Sequence, residues 1–219
     1  MLFRSEEIEA AAQQRILGYD RAGDGHYDAA SALIKSIRGN DPDAAVYWLA
    51  TMIEAGEDPR FIARRLVIAA SEEVGNADPR GLQVAVAAAQ ALELVGLPEA
   101  QYALAQAAIL LAVLPKSDAT GRAYFAALDD VRRLGSLPVP MHLRNAADRR
   151  MQQHGIGVGY RNPHDYEGDD VEQQYLPDRL AGRRFYHPSE HGQEASLKAR
   201  MEERHARRAE GPAKRKRGH

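Results

Sequence analysis

The sequence predicts an all-α protein, and three observations carry that prediction. Asp-Pro steps at Asp41-Pro42, Asp58-Pro59 and Asp78-Pro79 each precede apolar residues at helical spacing. No run of alternating β-branched residues reads as a strand. Gly and Pro divide the first 150 or so residues into segments of helix length joined by short turns, which implies antiparallel neighbours.

The first stripe is Ala30, Leu33, Ile34 and Ile37, ending at Gly39. Asp41-Pro42-Asp43 then supplies a capping carboxylate, a proline at the first helical position and a second acid at the positive end of the helix dipole. Ala45, Trp48, Leu49, Met52 and Ile53 follow on one face, and Gly56 stands where a left-handed terminating residue is expected. Asp58-Pro59 opens a segment carrying Ile62, Leu66 and Ala69. Asp78-Pro79 opens an alanine-rich segment that runs to Gly96. Pro98 begins another, stopped by Leu114-Pro115, and Ser117 can cap a helix bearing Tyr124, Leu128 and Val131 up to Gly135. Irregular lengths and the lack of a fixed period argue against a solenoid. The alanines Ala85, Ala87, Ala88, Ala89, Ala91, Ala103, Ala105, Ala107 and Ala108 let helix axes approach closely, within one chain or against another subunit.

Beyond Leu137 the texture changes. Pro138-Val139-Pro140 forces an extended connection, after which His142–Gln153 reads as one more short helix. Residues 155–193 resist helix assignment, yet Tyr160, Tyr166, Tyr175, Leu176, Phe185 and Tyr186 are too apolar for a free linker. They predict an irregular wrap anchored by aromatics over the helical body. The last twenty or so residues are charged and lack a stripe, which fits a frayed helix or a disordered tail. The expected organisation is residues 1–22, then a compact helical domain over 23–193, then a basic tail over 194–219.

The 219 residues suffice for one large domain with appendages. Mean hydropathy is −0.49 and no apolar run approaches about 20 residues, so no membrane span is expected. With no cysteine there is neither a disulfide framework nor a thiolate metal site, which suits the cytoplasm. The net charge of −2 is uneven: Lys198–His219 holds nine Lys and Arg against three acids, a net +6, leaving −8 elsewhere. Arg204, Arg207, Arg208, Lys214, Arg215, Lys216 and Arg217 are therefore the candidate DNA contacts, and Arg60, Arg64 and Arg65 the alternative basic patch.

No enzymatic constellation emerges. The phosphate loop G-x-x-x-x-G-K-[ST] is absent, and Gly155-x-Gly157-x-Gly159 lacks a preceding strand, so it reads as a flexible turn. His187 and His191 are four apart, but Pro188 disfavours the helix that would present both to a metal. His164-Asp165 reads as a structural pair, and Glu72-Glu73 and Asp129-Asp130 as solvated helix faces. No catalytic, cofactor-binding or metal residue is assigned. The chain is not expected to be an enzyme.

Longer strings add a resemblance. His26-Tyr27-Asp28, Lys35 through Ala45, Tyr47-Trp48-Leu49-Ala50 and Ala55 through Leu66 resemble the region after the lid in the RarA/MgsA family of replication-associated AAA+ ATPases. That family includes the Werner helicase-interacting ATPase of eukaryotes. The likeness continues through Leu114-Pro115-Lys116-Ser117, Val139 through Ala146, Tyr160 through Asp165, Gln173 through Pro177 and Gly182 through Tyr186. Residues 2–21 resemble the end of the lid subdomain. The ATP-binding core has no counterpart here, so the chain is expected to be a fragment or a truncated product, and the basic extension after about 195 has no match. The resemblance implies a homotetramerisation domain of a clamp-loader-like, DNA-dependent ATPase. Such a protein would act in fork maintenance, recombination and repair with single-stranded-DNA-binding protein, near the nucleoid. ATP and magnesium would belong to the missing core.

Overall fold

A computed structural model describes residues 24–210 and Lys216; the expected lid remnant, residues 1–22, lies outside them. Among the described residues there are eight α-helices, short 3-10 turns, one π turn and no strand, as an all-α reading requires. The chain divides into two compact units. The first runs up to Thr120 and takes in His191–Glu194; the second comprises Gly121–Glu190 and the chain from Ala195 onward.

In the first unit, α1 (Asp24–Arg38) and α2 (Pro42–Glu54) form a hairpin. Asn40, at φ 61°, takes the left-handed position just after Gly39. The Asp41 carboxylate accepts from the Ala44 amide at 2.9 Å, and Pro42 stands in the first turn. Thus the capping residue read from sequence does cap. Helix α3 (Pro59–Ala69) starts the same way, with Asp58 accepting from the Arg60 amide at 2.9 Å. Helices α4 (Arg80–Val95) and α5 (Gln101–Val113) pack together, and α5 also packs on α2. Their shared interior holds Ala85, Ala88, Leu104, Ala107, Ala108 and Leu111, all buried. Small side chains thus serve an intrachain contact at these positions. Around them, Leu33, Ile37, Leu49, Met52, Ile62 and Leu66 complete one core.

The first departure from expectation follows α3. The helix widens into a π turn over Ala70–Val74 and tightens into a 3-10 turn over Gly75–Ala77. A π turn breaks the regular 3.6-residue register. Glu73 sits within it, 7% exposed, and takes a bidentate pair from Arg38 at 2.8 and 2.6 Å. The solvated-face reading is therefore corrected for Glu73, which is buried because a cation satisfies both oxygens.

His191–Glu194 belongs to this unit through specific polar contacts. The Glu194 carboxylate, fully buried, accepts from the Ser117 hydroxyl at 2.6 Å. Ser117 in turn accepts from the Ala119 amide at 3.2 Å, the cap expected for α6 (Ala119–Leu134). Gly192, at φ +52°, lies so close to the chain that a Cβ would stand 2.2 Å from the Ala77 carbonyl oxygen.

The second unit is less helical. His142–Gln153 is not one helix: a 3-10 turn spans Met141–Leu143, Arg144 is extended, and only α7 (Arg149–Gln153) is helical. The Asp148 carboxylate accepts from the Met151 amide at 2.9 Å and thereby sets the later start. Of the six residues expected to anchor the irregular segment, Tyr160 and Tyr175 are about half exposed and the others half-buried; the buried apolar residue there is Val171. Of the segment read as a frayed helix or disordered tail, the part up to Glu210 belongs to an 18-residue helix, α8 (Gln193–Glu210), while 211–215 and 217–219 lie outside the described residues. Asp130, expected on a solvated face, is 5% exposed and pairs with Arg133 at 2.5 Å and Arg183 at 3.0 Å. His164 pairs with Asp169 at 3.6 Å rather than with its neighbour Asp165.

Candidate functional site

Two surfaces stand out, one in each unit. In the first, the stripe Ile62, Leu66, Ala69 turns α3 into the core, which leaves Ile68 on the outer side, 46% exposed. On α4, Ala85, Ala88 and Leu92 face inward while Leu82 and Val86 stay exposed. Between the two helices runs an open groove of about 550 Å³, whose apolar lining includes Ala63, Val67, Ile68, Val86 and Ala89. At its polar rim Arg60 holds Glu93 in a bidentate pair at 2.7 and 2.8 Å. The carboxylate accepts two hydrogen bonds from the Arg60 guanidinium and raises its pKa further. Arg64 lies 3.8 Å from Asp58 and over the Phe61 ring, and the Arg65 Nε is buried without a hydrogen-bond partner among the described residues. The alternative basic patch Arg60, Arg64 and Arg65 thus has two of its three cations engaged by carboxylates.

The second surface is α8 and the chain after it. Arg204, Arg207 and Arg208 share this helix. Arg207 lies 3.9 Å from Glu203, and Arg208 pairs through Nε at 3.1 Å and through Nη2 with the Asp170 carboxylate. Lys216 donates to Asp169 at 2.8 Å, while Lys214, Arg215 and Arg217 lie outside the described residues. Asp170 is held below the usual carboxylate range, first by the Arg208 hydrogen bond and further by the charges of Arg204 and Arg207. Asp169 is lowered likewise, by Lys216 foremost and His164 after it. Four of the seven cations singled out in the sequence therefore act on one short acidic turn.

The second unit also gathers three separated strings of the family resemblance. His142 Nε2 meets the Gln174 carbonyl at 2.8 Å, and Gln173 accepts from the Arg161 amide at 2.8 Å. These residues line an open, polar cleft of about 450 Å³. Their spacing along the chain gave no sign that they meet.

Some of this was missed by reasoning from the sequence. Ile68 and Val86 could have been noticed as apolar residues off the buried stripes of their helices. Asp169 and Asp170 carried no such signal, because their role depends on a cation some 40 residues away in the chain. Among the described residues no group of His, Asp and Glu is gathered closely enough to hold a metal ion, and no helix is long and apolar enough to cross a membrane.

Residues 2–38 match the family described as the AAA C-terminal domain. Residues 39–205 match the family described as the MgsA AAA+ ATPase C terminal, and the chain belongs to that family. It is 48% identical over 197 residues to an uncharacterized AAA domain-containing protein of Mycobacterium tuberculosis, a match covering 90% of this chain and 44% of that protein. It is 44% identical over 200 residues to replication-associated recombination protein A of Escherichia coli, with 90% and 44% covered. To ATPase WRNIP1 of Dictyostelium discoideum it is 37% identical over 187 residues, with 85% and 21% covered. The chain spans less than half the length of these relatives.

Proposed function

We propose that this chain is the tetramerisation module of a clamp-loader-like, DNA-dependent AAA+ ATPase acting in replication-fork maintenance, recombination and repair. The observation that carries the reading is the apolar groove between α3 and α4, with Ile68, Leu82 and Val86 left exposed on the two helices that frame it. Apolar surface of this kind gains free energy when another chain covers it. ATP and magnesium would act in the motor of the whole protein, and single-stranded-DNA-binding protein would be a partner at the fork. Light scattering at concentrations on the order of tens of micromolar, where mass action favours assembly, should give four times the 24.1 kDa chain mass. Val86→Glu should return it to a monomer with unchanged helical content. A wild-type monomer under those conditions refutes the reading.

A second reading is favoured by a separate observation. Arg204, Arg207 and Arg208 lie on one helix, and the basic Lys214–Arg217 run follows it in the sequence, an arrangement suited to neutralising a phosphate backbone. On this reading the helix and tail bind nucleic acid, and removal of residues 198–219 abolishes that binding.

A further inference from the structure

The acidic turn that meets α8 has a geometry of its own. Gly168 and Asp169 follow one another in left-handed conformation, at φ +74° and +50°. A non-glycine residue at positive φ is disfavoured and is kept where surrounding contacts fix it. Here the contacts are cations of the basic segment. Asp170 is clasped by Arg208, and Asp169 by Lys216 at 2.8 Å. The Lys216 amide also donates to the Asp165 carbonyl at 2.8 Å. Arg207 Nη1 lies over Gly168, 3.2 Å from where a Cβ would stand, so a side chain there would crowd the approach of α8. The Asp170 carboxylate is only 13% exposed, although it is joined to a helix that is otherwise charged and open.

We infer that Glu167–Asp170 is a built-in competitor for nucleic-acid phosphates, occupying the cations of α8 and its extension until a polyanion displaces it. This rests on the second reading above, that the basic segment binds nucleic acid. Two carboxylates presented from one turn offer Arg208 and Lys216 the same charge-assisted hydrogen bonds that a pair of backbone phosphates offers. Binding then exchanges an internal ion pair for an external one at each cation. The family match ends at residue 205, so the turn lies inside the shared domain while Arg207, Arg208 and Lys216 lie beyond the matched region.

The test compares four chains for binding of a labelled 20-nucleotide oligothymidylate by fluorescence anisotropy over a salt series. They are the wild type, Asp169→Asn/Asp170→Asn, the chain lacking residues 198–219, and Asp129→Asn/Asp178→Asn, which makes the same charge change away from the turn. Two released cations should make the slope of log K against log salt steeper by about 1.4 and raise affinity on the order of tenfold at low salt. The Asp129/Asp178 variant should show neither effect, and the truncated chain should not bind. Equal binding by the wild type and the Asp169/Asp170 variant overturns the competitor while leaving the nucleic-acid reading intact. An equal gain in the Asp129/Asp178 variant also overturns it, since net charge would then explain the effect. If none of the four binds at about 20 mM salt, where backbone contacts are strongest, the nucleic-acid reading falls and the competitor with it. A measurement on the unaltered chain guards against misfolding of the variant: the Asp169 and Asp170 carboxyl carbon resonances should move as the oligonucleotide displaces their cations. Resonances that stay fixed while the oligonucleotide binds count against displacement.

Discussion

In the first unit Leu33, Ile37, Met52, Ile62, Leu66, Leu104 and Leu111 are sealed from solvent. In the second, among the described residues, the buried apolar side chains reduce to Val171, while Asp130 and Asp170 are drawn in by arginines. One unit rests on apolar burial, which is non-directional and is not screened by salt as charges are. The other leans on ion pairs, each worth little when exposed and weakened by salt and acid. Regions of few buried apolar contacts open at lower cost, so the second unit should open more readily than the first.

The largest expected effect tests the first half of this contrast. Leu66→Ala removes a fully buried side chain from the core. It should lower stability by about 2–5 kcal/mol in urea melts, independently of salt. A loss below about 1 kcal/mol would mean that the core is far looser than its burial implies.

A smaller effect sharpens it, because the first unit also holds ion pairs on buried carboxylates, Arg38 with Glu73 and Arg80 with Asp78. Arg38→Met leaves the Glu73 carboxylate buried without its bidentate partner. An unsatisfied buried acceptor costs about 1–3 kcal/mol. Adding Glu73→Gln or Glu73→Leu should recover part of the loss, since no charge is then left unpaired. If Arg38→Met alone is silent, Glu73 reaches water in solution and the π turn is looser than described.

How much of this was legible beforehand follows the same division. Helix starts at Asp41 and Asp58, the cap at Ser117 and the stripes of α1 to α3 were readable because caps and periodicity are local. The π turn at Ala70–Val74 was not, since Ser71-Glu72-Glu73 continues a helical pattern and only tertiary pairing with Arg38 reveals the wider turn. For the candidate sites, composition located the basic residues on α8 but not their acidic partners, which depend on how a Gly-rich loop folds back. The groove needed two helices to be placed side by side before Ile68 and Val86 became one surface.

The smallest expected effect concerns the second unit alone. Arg208 and Asp170 are partly exposed, so their coupling in a cycle of Asp170→Asn and Arg208→Gln should be about 0.2–1 kcal/mol at low salt and fade as salt rises. Acid should act in the same direction. Asp170 is depressed by its Arg208 hydrogen bond, so its folded pKa lies below the unfolded value of about 3.9. A carboxylate depressed on folding contributes stability that is fully present above its unfolded pKa and is lost as pH falls through the folded one. The same sign holds for Asp130, depressed foremost by the Arg133 hydrogen bond and then by Arg183. Amide exchange in Asp165–Val171 should therefore be flat from neutral pH down to about 4, after correction for intrinsic rates, and quicken below it. Amides of α3 and α5 should hold their protection to lower pH, because aliphatic side chains line their interior. Should both units lose protection together, the acid response belongs to one cooperative structure, and the contrast between a core held by burial and a unit held by charge would not survive.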